Sequence, residues 1–492
     1  MASIAPPIPP LFLDRVSRFL GEEYGAFAAA LNGSPVSGLR VNTLKLPPEQ
    51  FAAISPFPLG ERVMWCPSAF VLPSPFGRGD RGEAPGKHPY HLAGLYYLQD
   101  PSAMAPAELL APQPGERVLD LAAAPGGKTT HLAALMKGEG LLVANDIKTK
   151  RVNHLAVNVE RWGAGNVVIT NETPERLADH FGTFFDRVLV DAPCSGEGMF
   201  RKDMGARANW SPEMVAGCAA RQTNILRVAA KLVRPGGYLL YATCTFAPEE
   251  NEAVMARFLE QFPEFEVAAL PRFPGFMSGK PEWLSLIAEH AENAEKNKRN
   301  SAGFVLSAVN ETLHGAMRLF PHRVAGEGHF ICLLQRRDGI KTADEQSVRA
   351  PHPSHAQLAL WTAFARETLI IDFETIRLRV FGGRLYLVPE DLPDISGLRV
   401  VHPGVWLGNF KKNRFEPAHP LALYLHPGQA KNVLNLPSDG REIVAYLRGE
   451  SITSDGTPGW VLVSVDGWPF GWGKRVQGVV KNHYPRGWVM YS

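Results

Sequence analysis

Between residues 117 and 261, short apolar runs alternate with stretches whose apolar positions recur every three to four residues. The apolar runs predict strands over 117–121, 141–145, 167–170, 186–190 and 238–243, and the periodic stretches predict helices from Lys128 to about 136, then over 148–162, 212–233 and 248–261. The last helix carries Glu249, Glu250 and Glu252 in its first turn, where the helix dipole favours negative charge. Strand and helix in near-strict alternation imply an α/β domain with a doubly wound, mostly parallel sheet.

Around this centre the pattern changes. Residues from about 11 to 30 keep helical spacing and stop at Asn32-Gly33, after which GLRVNTLK alternates like a strand, so the chain opens with a small α+β unit. A Gly-, Pro- and charge-rich stretch over 73–87 predicts an exposed loop. Beyond 271 a Lys-, Glu- and Asn-rich helix is expected over 284–300, and RLFPHRVAGEGHFICLLQ predicts two strands closing the same sheet. The expected domains are 1–92, 93–338, a linker over 339–353, a small α+β domain over 354–400 and a β-rich tail over 401–492.

Composition narrows this picture little. With 45% hydrophobic and 20% charged residues and a net charge of +2, the chain has an ordinary soluble composition, so any nucleic-acid surface has to be a local patch. No apolar run is long enough to span a membrane, and MASIAPPIPPLFLDRV lacks the form of a signal peptide, so a cytoplasmic monomer is expected. Cys66, Cys194, Cys218, Cys244 and Cys332 are scattered with no C-x-x-C pair, so neither a disulfide framework nor a metal site is expected.

Candidate chemistry begins at residues 118–128, VLDLAAAPGGK, which reads as a strand, a turn open to a ligand, and a helix start. Two cofactors suit this turn. AAAPGGKT departs from an ATP phosphate loop only in having Ala122 at the first glycine position, and Asp191 after RVLV resembles a magnesium-binding acid. S-adenosylmethionine suits it too, with Ala123, Ala124, Pro125, Gly126, Gly127 and Lys128 approaching the ligand. Asp146 after the second strand would accept the ribose hydroxyls, and Asn171 after the third would meet the adenine edge. DAPCSGEG after the fourth strand and TCT after the fifth favour the methyl donor, because they set Cys194 and Cys244 at neighbouring strand ends facing the cofactor. A zinc deaminase would need P-C-x-x-C, and PCSGE supplies one cysteine.

DLAAAPGGK, DAPCSGEG, TCT after GGYLLYA, RVNTLK and QDPSAM together resemble the Nol/Nop/Sun family of RNA cytosine-5 methyltransferases over nearly the whole chain. The resemblance extends to a bacterial subgroup acting on small-subunit ribosomal RNA. It implies a Rossmann-like methyltransferase sheet, RNA-binding domains on either side, and a PUA-like β-barrel at the C-terminus. It also implies Cys244 as nucleophile and Cys194 as the group assisting product release. Thiolate addition at carbon 6 is chemically apt, since carbon 5 of cytosine is otherwise too weak a nucleophile for a sulfonium methyl. Asp191 would bond the polar edge of the base and Lys128 would favour the thiolate.

RNA contacts are expected at Arg201 and Lys202 in GMFRK and, on the resemblance, at Arg40 and Asn42 in GLRVN. The tail has ten Lys plus Arg against six Asp plus Glu over 401–492, and interleaves Trp468, Phe470, Trp472 and Trp488 with Lys474, Arg475, Lys481 and Arg486. Basic groups there would track phosphates, while the aromatics would divide between stacking on bases and filling a core. The partner expected is ribosomal RNA or the small subunit. A protein that binds RNA during assembly, with methylation incidental, remains an alternative to the enzyme, as does an ATP-binding protein.

Overall fold

The computed structural model describes residues 6–73, 85–286, 311–337, 339 and 351–488. A ten-stranded sheet forms its centre. Across it the strands run Met277–Ser278, Met317–Leu319, His329–Arg336, Val233–Thr243, Phe185–Asp191, Arg117–Asp120, Leu141–Asn145, Val167–Thr170 and Val400–His402, with Phe265–Val267 beside His329–Arg336. The five strands from Val233–Thr243 to Val167–Thr170 are parallel. Their residues are almost continuously apolar because helices cover both faces, and Leu119, Val143, Val168, Val188 and Leu239 are buried. Strand order reverses between Arg117–Asp120 and Phe185–Asp191, which opens a ligand crevice at their carboxyl ends.

The expected helices are found with altered edges. The opening pattern is two helices, Pro10–Leu20 and Tyr24–Leu31, broken at Gly21, whose φ of 53° belongs to the left-handed region. The helix expected from Pro248 begins four residues later, at Glu252, because Glu250 and Asn251 are drawn into hydrogen bonds with the crevice loops. Most of the charged helix expected over 284–300 lies outside the described residues.

Two expected domain boundaries cut through sheets. Tyr96–Gln99 pairs with Ser37–Val41, so the sheet of the first domain continues past residue 92. Leu378–Phe381, Arg384–Leu387, Val405–Lys411 and Arg414–Pro417 form one four-stranded sheet across residue 400, while Val400–His402 between them joins the edge of the central sheet. The tail forms a curled half-barrel of five strands, Val433–Leu436, Gly459–Val465, Trp468–Val476, Val479–Asn482 and Ile452–Thr453. Its Val463, Phe470 and Tyr446 share a core with Leu39, Phe51 and Tyr96 of the first domain, so the two flanking modules pack against each other.

Candidate active site at the strand ends

The turn after Arg117–Asp120 is held open by its neighbours. Gly126 has a φ of 111°, and a Cβ there would lie 3.2 Å from Leu155, so only glycine takes this position without strain. Ala123 N donates to the carbonyl of Asn145 at 2.7 Å, Asn158 Nδ2 donates to that of Pro125 at 2.7 Å, and Arg151 donates to that of Ala124. Asp120 is fully buried; burial raises its carboxyl to about 7 although Thr129 donates to Oδ2 at 2.7 Å.

Asp146, at the end of Leu141–Asn145, is 2% exposed. Its Oδ1 accepts from Lys148 N at 2.9 Å, whereas Oδ2 accepts no hydrogen bond and has only Arg151 at 3.3 Å as an ion-pair partner. A buried carboxylate oxygen with spare capacity beside a glycine turn suits the ribose hydroxyls of an adenosine-bearing cofactor. Asn171 departs from expectation. Its Nδ2 donates to the carbonyl of Asp146 at 2.7 Å and its Oδ1 accepts from Thr149 at 2.9 Å, so it holds the Asp146 loop instead of presenting a free amide edge.

The two cysteine motifs meet because Asp191 and Ala242 are paired residues on adjacent parallel strands. Cys194 Sγ and Cys244 Sγ are 3.1 Å apart, both half-buried. The hydrogen bond to Cys244, and then burial, push the Cys194 thiol well above the ordinary thiol range. Lys128 Nζ reaches Asp191 Oδ2 at 2.7 Å, which ties the cofactor helix to the cysteine strand. Burial works against the Lys128 ammonium, but Asp191 outweighs it and the net direction is up.

A layer of buried polar groups beneath the thiols fixes both loops. Glu197 Oε2 accepts from the Thr245 hydroxyl and from Phe246 N, each at 3.0 Å, and its Oε1 accepts from Trp210 Nε1 at 2.9 Å. Glu250 Oε2 accepts from Ser195 N at 3.0 Å and from Gln222 Nε2 at 2.7 Å; burial still raises its carboxyl to about 7. Asn251 links Thr243 and Thr245 around Cys244, and Gly198 N donates to the Cys244 carbonyl at 2.9 Å. A Cβ on Gly198 would meet the Gly328 carbonyl at 2.5 Å, so the two loops close only on glycine.

Sequence reasoning missed this layer. Glu249, Glu250 and Glu252 read as a dipole-favouring first turn, yet Glu249 pairs with Arg15, Glu250 holds the Cys194 loop and Glu252 pairs with buried Arg318. The available signal was three carboxylates directly following a cysteine strand.

Three of the expected RNA contacts are corrected. Arg40 is fully buried, donates to the Gly127 carbonyl at 2.9 Å and Thr130 Oγ1 at 2.7 Å, and stands 4.7 Å over the Trp162 ring. Asn42 is also buried and donates to the carbonyls of Gly94 and Trp162, both at 2.8 Å. Arg201 pairs with Glu327 at 2.8 Å behind the site. Lys202 is partly open but reaches Asp100 at 2.6 Å. These side chains brace loops because each has bonding capacity that the interior satisfies.

Lys474 and Lys481 lie on neighbouring strands in direct register, with Trp460 opposite Lys474 and its ring 5.5 Å from the ammonium. Among the described residues neither lysine forms an ion pair. Trp468, Phe470 and Trp472 are buried core, and Trp488 is half-buried under Arg161, so the aromatic beside these lysines is the half-buried Trp460.

No metal ligands were expected, yet Cys66, Glu108 and His131 bring one ligand atom each within 4.8 Å of one another. His131 Nε2 is already bonded to Glu108 at 2.9 Å, and the Arg40 cation nearby lowers the imidazole further after burial.

Four family models match in sequence order. Residues 8–101 match the N-terminal domain of 16S rRNA methyltransferase RsmF, 107–335 the 16S rRNA methyltransferase RsmB/F model, 363–425 the first C-terminal domain of RsmF and 433–490 its PUA domain. The chain is 31% identical to ribosomal RNA small subunit methyltransferase F of Vibrio vulnificus over 97% of both chains, and 30% identical to that of Erwinia tasmaniensis over 97% of this chain and 96% of the other. A methyltransferase homologue from Pyrococcus horikoshii of known structure is 28% identical, with a TM-score of 0.52 over 67% of this chain and all of that one (100%).

Proposed function

The chain belongs to the family of ribosomal RNA small subunit methyltransferase F, and from that membership we propose that it methylates carbon 5 of a cytosine in 16S ribosomal RNA. The observation that carries the chemistry is the 3.1 Å approach of Cys194 and Cys244 at the mouth of the cofactor crevice. S-adenosylmethionine, when bound, supplies an electrophilic methyl group. The turn 123–127 and Asp146 would hold it, in keeping with the spare Asp146 oxygen. An ATP loop would need glycine where Ala122 stands.

In this reading the Cys244 thiolate adds to carbon 6 of a flipped cytosine, forming a carbon–sulfur bond and moving the electron pair toward carbon 5, which takes the methyl group. Two thiolates in contact repel, so one of the pair ionises at a time; the family's pattern of motifs makes that one Cys244, and Cys194 keeps its proton while Cys244 attacks. Once Cys244 is a neutral thioether, its charge no longer opposes ionisation of Cys194. Cys194 then gives its proton to solvent and, as the thiolate, takes the carbon 5 proton, and the returning electron pair expels Cys244. Asp191, beside Lys128, borders the base and accepts from its amino group, while the Lys128 ammonium offsets the negative charge that builds as the adduct forms.

Sequencing bisulfite-treated 16S RNA from cells lacking the gene tests the reaction: one or more protected cytosines should become convertible and be protected again by the wild-type gene. Full rescue of the deletion's growth by a Cys244→Ala gene, with the cytosines still convertible, would instead favour an assembly role without methylation.

A further inference from the structure

Where the first, catalytic and last domains meet, basic and hydrogen-bonding side chains gather without an acid. Lys45 Nζ donates to the Ala93 carbonyl at 2.5 Å and lies 3.4 Å from that of Arg161. Arg161, in the last turn of the helix Thr149–Trp162, places Nη1 3.3 Å from Asn158 Oδ1 and 3.5 Å from His91 Nε2, with its guanidinium 5.5 Å from the Trp488 ring centre. From the C-terminal side, His419 is 7% exposed and packs its ring 5.1 Å from Tyr484 and 4.8 Å from Trp488.

Four buried atoms of this group have no hydrogen-bond partner: both ring nitrogens of His419, the Tyr484 hydroxyl and Nε of Arg161. Buried polar atoms are ordinarily hydrogen-bonded, so four unpartnered ones in one place point to a ligand that satisfies them. Among the described residues no carboxylate pairs with Lys45, His91, Arg161 or His419. Burial brings the Lys45 ammonium down to about 7 with no acid to offset it. Capping of the helix carbonyl explains the position of Lys45, but it leaves Arg161 Nε, the Tyr484 hydroxyl and the His419 ring without partners.

We propose that the space between Lys45, Arg161, His419 and Tyr484 is an oxyanion site that receives one backbone phosphate of the RNA. Arg161 follows Asn158 by three residues, and Asn158 holds the Pro125 carbonyl of the cofactor turn at 2.7 Å. A phosphate here would therefore register RNA between the donor-binding turn and the C-terminal half-barrel. The assignment to RNA rests on the proposed function; the affinity for an oxyanion does not.

Two measurements on the full chain test it. The first compares thermal unfolding in inorganic phosphate and in chloride at matched ionic strength. The second follows binding of a small-subunit RNA fragment against salt. Phosphate should raise the midpoint of the wild type and of Arg161→Lys, which keeps the charge, and should not raise that of Lys45→Met or Arg161→Gln. The two neutral variants should also flatten the log–log salt slope by roughly 0.7–0.9, the share of one phosphate. If Lys45→Met unfolds, the Arg161 pair decides. A phosphate effect with an unchanged slope would overturn the RNA assignment, and absence of both effects would overturn the site. Neither readout involves methyl transfer, so a failed methylation reading leaves the test standing; a wild-type chain that binds no RNA would sink that reading while the phosphate arm still judges the site.

Discussion

The cysteine crevice and the outer face of the half-barrel carry polar groups in opposite ways. Beneath Cys194 and Cys244, Glu197, Glu250, Asn251 and Gln222 are buried and bonded to the loops they hold. On the half-barrel, Trp460, Lys474 and Lys481 form a stripe across three strands, and the lysines have no acidic partner among the described residues. A nucleophile has to be fixed within fractions of an ångström, so the side chains around it are buried and bonded to the loops that carry it. A surface phosphate contact instead works by releasing counterions, so its charge stays in water until RNA arrives. Changes in the first region should therefore cost turnover or stability, and changes in the second should cost only salt-dependent affinity.

Cys244→Ala should have the largest effect, lowering methyl transfer from a labelled donor by roughly 10³-fold or more while RNA affinity holds. Equal loss of binding would blur the distinction between the regions. Glu197→Ala comes next. It removes the acceptor shared by Thr245 and Phe246, so kcat should drop about 10- to 100-fold with KM nearly constant, as a displaced nucleophile would give. A rise in KM alone would remove Glu197 from the positioning layer.

Arg40→Met separates the regions by stability. It strips bonds from the Gly127 carbonyl and Thr130, and denaturant titration should register a loss of roughly 2–4 kcal/mol, with the salt slope of RNA binding unaltered. Lys474→Ala with Lys481→Ala should do the reverse: the slope flattens by roughly 0.7–0.9 per lysine while stability stays within about 0.5 kcal/mol.

The smallest expected effect is on pH dependence. With its folded carboxyl raised to about 7, Asp120 holds a proton that the unfolded chain loses near its ordinary value of 3.8. Its contribution to stability is full below that value and fades as pH rises through about 7. Asp120→Asn should therefore lose less stability than the wild type between about pH 5 and 8; parallel curves would mean that Asp120 is ionised in the folded chain.

The same contrast explains what the sequence could reveal. The parallel strands are continuous apolar runs bounded by turn residues, and both cysteine motifs sit at strand ends, so the sheet and the meeting of the thiols followed from local pattern. Burial of a charged residue has no local signature. Arg40 and Asn42 lie on and beside an alternating strand as RNA-reading residues would, and only the packing of Trp162 and the Gly127 turn against that strand turns them inward. Trp468, Phe470 and Trp472 likewise alternate along one strand, a pattern that a core face and a stacking face share. The domain boundary near 400 was hidden because one short strand leaves its own module to extend the central sheet.

The central claim is that Cys244 bonds to the base and Cys194 frees it. Denaturing electrophoresis of Cys194→Ala with substrate RNA and methyl donor tests this most directly. A retarded band of protein joined to RNA should accumulate, survive boiling in detergent and vanish in Cys194→Ala/Cys244→Ala. Absence of the band, or its persistence in the double variant, would contradict the roles assigned to the two thiols.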